Sequence, residues 1–295
     1  MQGIIRRNLI AVAGALMLLG AVHASSASAA VPGLEKVKGI SAIDSSSKKT
    51  AIAYCPAGKR VIGGGGGLVW DLQHHTRDVV LTSMLPVHPL SGPDSYQVTA
   101  HEDQGGTTDT WWADAYAICA DPIPGMHTVV TGGTFGSTPS QTPQAHCNAG
   151  ERVLGTGGYI QDTGGQVGIQ VSRASTTGTF SYFQGHEDAD GYAGNWGLLA
   201  YAVCAPAPAG YEIAQTASPT ALSEAEKVAD ATCTAGKKTL SGGGAIAFNA
   251  PGSVFLTHII PTGSGLSNEV LAVAAENVPT AANWDFIVGQ AICAS

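Results

Sequence analysis

The chain has 295 residues, of which 44% are hydrophobic and only 12% charged, with 39 glycines and six cysteines. Its 22 acidic residues outnumber 14 basic ones, and two of the arginines lie within the first 29 residues, so the remainder is more acidic still. An acidic surface repels phosphate backbones, which argues against nucleic acid as a partner, and the scarcity of charge argues against a disordered tail or a helical enzyme.

Residues 1–29 read as a signal peptide. Arg6 and Arg7 supply a positive start, Leu9 to Val22 form an apolar run, and Ala27-Ser28-Ala29 offers small residues for cleavage. The run has 14 residues, short of the roughly 20 that span a bilayer, so removal of the signal is expected and no membrane span after it. The paired arginines fit a twin-arginine route as well as general secretion, although the polar residue before such a pair is missing. The final "GQAICAS" gives no sign of a membrane anchor. Six cysteines in an exported chain point to disulfides in an oxidising compartment.

Three β repeats follow, over 34–121, 125–206 and 209–295. They open with "CPAGKRVIGGGG" at Cys55, "CNAGERVLGTGG" at Cys147 and "CTAGKKTLSGGG" at Cys233. Each carries glycine three positions on (Gly58, Gly150, Gly236), an apolar residue at seven (Ile62, Leu154, Leu240), and paired glycines at ten and eleven. Each closes on a tryptophan-bearing segment and a second cysteine: Cys119, Cys204 and Cys293. One opening and one closing cysteine per repeat predicts the pairs Cys55–Cys119, Cys147–Cys204 and Cys233–Cys293.

A leading strand is predicted before each opening cysteine ("KVKGISAI", "HTVVTGGT", "YEIAQTA"). The glycine strand follows, then two β-rich runs such as "DVVLTSML" and "SYQVTAHED", and last the closing strand, about five strands per repeat. In the first closing strand, alternation puts Trp111, Ala113, Ala115, Ala117 and Cys119 on one face. The third repeat has one more residue between its tryptophan and cysteine, which predicts a β-bulge. Small faces beside consecutive glycines imply close packing of sheets. The expected fold is therefore all-β: a pseudo-threefold, disulfide-stapled β-prism-like body, or alternatively three separate β-sandwich beads.

Through its Cys-x-x-Gly…Gly-Gly and Trp…Ala-x-Cys signatures, nearly all of the mature chain resembles Cys/Gly-repeat proteins secreted by filamentous bacteria. Its threefold repetition also resembles the vitelline membrane outer layer proteins and other β-prism proteins. Those resemblances imply three Greek-key-like sheets and carry no catalytic residue to transfer.

The glycine run is not read as a phosphate loop, because Lys59, Lys237 and Lys238 precede the glycines and no helix follows. His101-Glu102-Asp103 and His186-Glu187-Asp188 occupy equivalent positions, but the third repeat reads Ala275-Glu276-Asn277. A three-histidine axial site is thereby excluded, and no metal or cofactor is expected. Only the glutamate recurs in all three repeats, as does a basic residue five positions after each opening cysteine. A carboxylate on an apolar face needs a partner, so structural ion pairs are expected between Glu102 and Arg60, Glu187 and Arg152, and Glu276 and Lys238.

The longer loops of the first repeat hold Trp70, Asp71, His74, His75, Asp78 and His88. Trp70 and Trp112 have the chemistry of a sugar-stacking platform, and Asp71, His74 and His75 complete the candidate ligand site. The histidine pair also has the residue type for a transition metal, but adjacent histidines in a loop point apart. No G-x-S-x-G or H-E-x-x-H motif occurs, and paired cysteines leave no thiol nucleophile, so no catalytic residue is assigned. The expectation is a secreted, non-catalytic binding or envelope-associated protein that contacts an extracellular or cell-wall glycan through loops of the first repeat. The alternatives are a glycan-active hydrolase using loop carboxylates and a structural coat protein.

Overall fold

The structure is a computed structural model that describes residues 30–70, 78–161, 163–220, 225–247, 252–281 and 283–295. The signal-like segment, and Asp71, His74 and His75 of the candidate ligand site, lie outside the described residues. Among the described residues there are nineteen strands and no helix.

The first repeat contributes β1 (Glu35–Ile40), β2 (Lys48–Tyr54), β3 (Arg60–Trp70), β4 (Val79–Val87), β5 (Ser95–Glu102) and β6 (Trp111–Ala120). The second contributes β7 (His127–Gly132), β8 (Ser140–Gln141), β9 (Gln144–His146), β10 (Glu151–Ile160), β11 (Val167–Ala174), β12 (Phe180–Glu187) and β13 (Leu198–Pro206). The third contributes β14 (Glu212–Ala217), β15 (Glu226–Thr232), β16 (Lys238–Ile246), β17 (Val254–Pro261), β18 (Glu269–Glu276) and β19 (Ile287–Ala294). The strand just before each opening cysteine is the one beyond the expected five. In β15 the buried face is Lys227, Ala229 and Ala231, and Glu226 and Asp230 stand on the exposed one, residue types with weak β character. In the second repeat Pro143, which has no N–H to give to a ladder, separates β8 from β9.

Three antiparallel sheets form, and none belongs to one repeat. Sheet one runs β1-β6-β3-β17-β18-β15, sheet two β2-β5-β4-β10-β13-β7, and sheet three β14-β19-β16-β11-β12-β8, with β9 also on β12. Every sheet takes a leading, a closing and a glycine strand from one repeat and the remaining strands from another. Hydrogen bonding across repeats excludes the separate beads. The seams coincide: Gly66 opposes Ile259, Gly158 opposes Met84 and Gly244 opposes Ser172. Each of these glycines is the eleventh residue after its opening cysteine, the signature of a pseudo-threefold prism.

The glycine strands β3, β10 and β16 line the axis. A Cβ at Gly63 would collide with the Leu240 carbonyl oxygen, and one at Gly155 with the Ile62 carbonyl oxygen. In the third repeat Ser241 stands at the equivalent position and donates to the Gly64 carbonyl at 3.3 Å. The recurring glycine just after each opening cysteine has another cause. Gly58, Gly150 and Gly236 close a turn with φ of 84°, 87° and 90°, a conformation that costs other residues energy.

Bulges occur in all three glycine strands, where the register shifts across Ile62, Leu154 and Leu240, each fully buried. The extra residue of the third closing segment makes no bulge. β19 pairs with β14 in unbroken register, and the surplus is absorbed before the strand, where Asp285 takes a φ of 48°. A turn there leaves the ladder intact.

The disulfides join opening and closing cysteines within each repeat, with Cα separations of 5.7 Å (Cys55–Cys119), 5.5 Å (Cys147–Cys204) and 5.9 Å (Cys233–Cys293). Strand exchange makes each a bond between sheets. Cys55 follows β2 of sheet two while Cys119 sits in β6 of sheet one, and the other bridges repeat this around the prism. Between the sheets, Trp111, Trp196 and Trp284 are fully buried beside the small face of the closing strands. The prism thus has a disulfide end, and an opposite end where the strands finish in Glu102, Glu187 and Glu276. This second end is the acidic end.

Candidate functional site

The three glutamates that end β5, β12 and β18 turn inward and are 8%, 8% and 4% exposed. In the first two repeats their partner is tryptophan. The Trp111 indole Nε1 donates to Glu102 Oε1 at 2.9 Å, and Trp196 Nε1 donates to Glu187 Oε1 at 2.9 Å. Glu276 and Trp284 hold the same places in the third repeat, both buried.

The expected pairing of Glu102, Glu187 and Glu276 with Arg60, Arg152 and Lys238 is therefore corrected. Arg60 begins the eleven-residue strand β3 that Trp70 ends, opposite Trp111. At about 3.3 Å per residue the guanidinium is roughly 30 Å from Glu102. Arg60 instead pairs with Asp94 at 2.6 Å, Arg152 donates to the Glu151 carbonyl at 2.7 Å, and Lys238 is exposed. The cations that do reach the acidic end are buried lysines. Lys49 sits 4.6 Å over the Trp111 ring and Lys227 4.3 Å over the Trp284 ring, with Gln141 at the matching place in the second repeat. Lys49 also binds Asp44 and holds that carboxyl well below the usual range.

Beyond the glutamates the chain turns, and the three turns meet. Asp103, Asp188 and Asn277 each extend the ladder of their own repeat, donating a backbone N–H to the carbonyls of Asp78, Gln166 and Ser253. Asn277 Nδ2 donates to Asp103 Oδ2 at 3.1 Å, and Gln104 Nε2 donates to Asp190 Oδ2 at 2.6 Å, so the first repeat touches both others. Backbone packing is tight, because a Cβ at Gly165 would collide with the Glu102 carbonyl oxygen and one at Gly252 with that of Glu187. Burial pushes the Asp188 carboxyl up to about 8, with the Asp190 carboxyl and the charge of Asp103 adding to the effect. Asp78 is raised too, by burial and then by Asp103, Glu102 and Asp109.

A cleft of about 360 Å³ opens beside this cluster. Trp70, Val79 and Val80 of the first repeat form one wall, and Phe255, Thr257, Glu226, Glu276 and Asn277 of the third form the other. Trp70 is half-buried and stands edge-on to His258 at 6.2 Å. Burial lowers His258 to about 4, so the imidazole is neutral near neutrality.

The predicted ligand residues therefore divide. Trp70 lies at the cleft. Trp112 does not join it, because Trp70 opposes Trp111 while Trp112 opposes Val69, and alternation sends Trp70 and Trp112 to opposite faces of the sheet. His88 is at the disulfide end, with Nδ1 2.6 Å from Asp94 and near Arg60. His101 is buried, and His186 Nδ1 donates to the Glu187 carbonyl at 2.6 Å. Sequence reasoning missed the meeting of Asp103, Asp188 and Asn277 and the contribution of Phe255 and Glu226. The spacing of nine residues from glutamate to tryptophan in the first two repeats was a readable signal of their bond.

Near the disulfide end His127 Nε2 approaches Glu151 Oε2 at 3.6 Å beside Cys204. The Cys204 sulfur is spent in a disulfide, so no thiolate is on offer. No known family model matches the chain, and no curated protein does. Three disulfides fit an oxidising environment, and no helix of the described residues is long and apolar enough to cross a membrane.

Proposed function

We propose that the chain is a secreted, non-catalytic binding protein, associated with the cell envelope, that takes an extracellular or cell-wall glycan in the cleft at Trp70. The signal-like residues 1–29 and the three disulfides support export. The resemblance to secreted Cys/Gly-repeat proteins agrees with it. The observation that carries the ligand reading is the composition of the cleft. The half-buried indole of Trp70 stands beside the acceptors Glu226, Glu276 and Asn277, while Phe255, buried against Gly168, backs the wall. An indole face takes the C–H face of a sugar, carboxylates and amides take its hydroxyls, and the volume suits a small ligand.

Retention on cell-wall and polysaccharide matrices tests this. Wild-type protein is expected to be retained, and Trp70→Ala, a half-buried site at a strand end, is expected to fold and pass through. Equal retention of both would remove the cleft from the reading. A hydrolase remains the competing reading because two carboxylates, Glu226 and Glu276, border the same cleft. Release of reducing ends over time, abolished by Glu226→Gln, would replace binding with catalysis. No retention and no release would leave a coat protein.

A further inference from the structure

We propose that the three repeats jointly hold a hard divalent cation, Ca²⁺ by its chemistry, where Asp103, Asp188 and Asn277 meet at the acidic end. The three are equivalent: each follows its recurring glutamate and anchors its backbone N–H on the loop that leaves the glycine strand. Their side chains offer oxygen alone, two carboxylates and one amide, with neither histidine nor thiolate among them. That donor set suits Ca²⁺ or Mg²⁺ and not zinc.

Two oxygens in the cluster lack a hydrogen-bond donor. Asp188 Oδ2 and Asn277 Oδ1 accept from no N–H or O–H group, each residue is only 6% exposed, and the Asp188 carboxyl faces that of Asp190. The other atom of each side chain is committed. Asp188 Oδ1 accepts from Gly191 N at 3.0 Å, and Asn277 Nδ2 donates to Asp103 Oδ2, which fixes the amide with its oxygen as the unused acceptor. Buried acceptors are normally satisfied, and a cation satisfies several at once. Ligands from three separate turns give an irregular shell, which Ca²⁺ tolerates and Mg²⁺, with its octahedral demand, does not. Water would complete the coordination. The site is independent of the glycan reading, although Asn277 also borders the cleft.

Calorimetric titration of the chelator-stripped protein with CaCl₂, and with MgCl₂ in parallel, tests the proposal. Thermal melts in calcium and in chelator accompany it. Binding of Ca²⁺ is expected with a Kd of about 0.1–1 mM, as for extracellular modules, with a higher melting temperature in calcium and at least about tenfold weaker Mg²⁺. Asp188→Asn, of the same shape, is expected to lose at least about tenfold in affinity while melting cooperatively in chelator. Asn277→Asp adds a carboxylate and is expected to bind about tenfold more tightly, a gain that misfolding cannot mimic. Asp230→Asn, an exposed carboxylate on β15, is expected to bind as wild type. The proposal falls if wild type shows neither heat nor a shifted melt at about 10 mM calcium. It falls equally if both cluster variants bind like wild type, or if Asp230→Asn loses as much as Asp188→Asn.

Discussion

The two ends of the prism are held by different physics. At the disulfide end three covalent bridges join neighbouring sheets, and the charges form separate pairs: Lys59 with Asp121 near the surface, and the half-exposed Arg60 with the buried Asp94. A pair open to solvent, such as Lys59 with Asp121, adds little to stability. At the acidic end no covalent bond crosses the sheets. Buried carboxylates bound to indoles, and buried lysines lying over indoles, do the holding. The ends also differ in how strictly they repeat. The cysteine turns are equivalent in all three copies, whereas the acidic end reads Asp103, Asp188, Asn277 and Lys49, Gln141, Lys227. Threefold closure needs identical staples. A ligand site gains from unequal ones, because each copy supplies a different group to one place.

Breaking the staples should have the largest effect. Each bridge closes a loop of 57 to 64 residues, which corresponds to about 4 kcal/mol in the chain-entropy model. Reduction is expected to lower the urea midpoint drastically at every pH. A shift equivalent to less than about 1 kcal/mol per bridge would place the stability elsewhere.

The acidic end should respond to pH where the staples do not. His258 is depressed to about 4 by burial, whereas the unfolded chain takes a proton near 6.5. The folded state binds fewer protons in that window. The contribution is therefore complete above about 6.5 and is lost as pH falls toward 4, by at most about 3 kcal/mol. His258→Gln should flatten this limb in denaturation curves taken between those values. An unchanged limb would assign the acid sensitivity to the carboxylates.

The seams that connect the ends come next. Gly65→Val and Gly157→Val drive a side chain onto the carbonyl oxygens of Ile259 and Met84, while Gly243→Val meets Arg173 Cβ and Cα at 3.0 and 3.1 Å and Gln290 Oε1 at 3.1 Å, with no carbonyl oxygen of the backbone among them. The first two should cost about 2–3 kcal/mol and the third about 1 kcal/mol. Thermal melts of the three variants check the ranking, and equal losses would show that the third seam is as tight as the others.

Much of this architecture is legible in the sequence because repetition prints it three times. The cysteine pairing follows from one opening and one closing position per copy. The buried face of β6 follows from Trp111, Ala113, Ala115 and Ala117 at period two. Strand exchange is not legible. β4, β11 and β17 carry similar patterns, so β3 finds the same partner chemistry in its own repeat or in the third, and closure of the prism decides. The site is half legible for the same reason. Trp70 stands out as an aromatic residue entering a long loop, but Phe255 and Asn277 reach it only through the exchange. Recurrence also misleads, since Arg60 and Glu102 both recur and yet cap opposite ends of one strand length.

That last distinction gives the finest test of the two ends, with the smallest expected effect. Glu102 accepts a charge-assisted bond from Trp111 in a buried setting, and Arg60 contributes to a pair in which its own side chain is 45% exposed. A thermodynamic cycle of Glu102→Gln with Trp111→Phe removes the indole donor and weakens its acceptor, so the packing loss of the ring cancels and the bond remains. The coupling should be about 1 kcal/mol, part of the roughly 1.5–3 kcal/mol of a hydrogen bond to a charged group, because the glutamine amide oxygen still accepts. A second cycle, Glu102→Gln with Arg60→Met, joins residues roughly 30 Å apart by strand geometry and should be additive within about 0.5 kcal/mol. Coupling in the second cycle and none in the first would restore the ion pair. It would also require the strands to run in a different register from the one that sets Trp70 opposite Trp111. The two cycles together therefore test the acidic end and the register of the sheet that carries it.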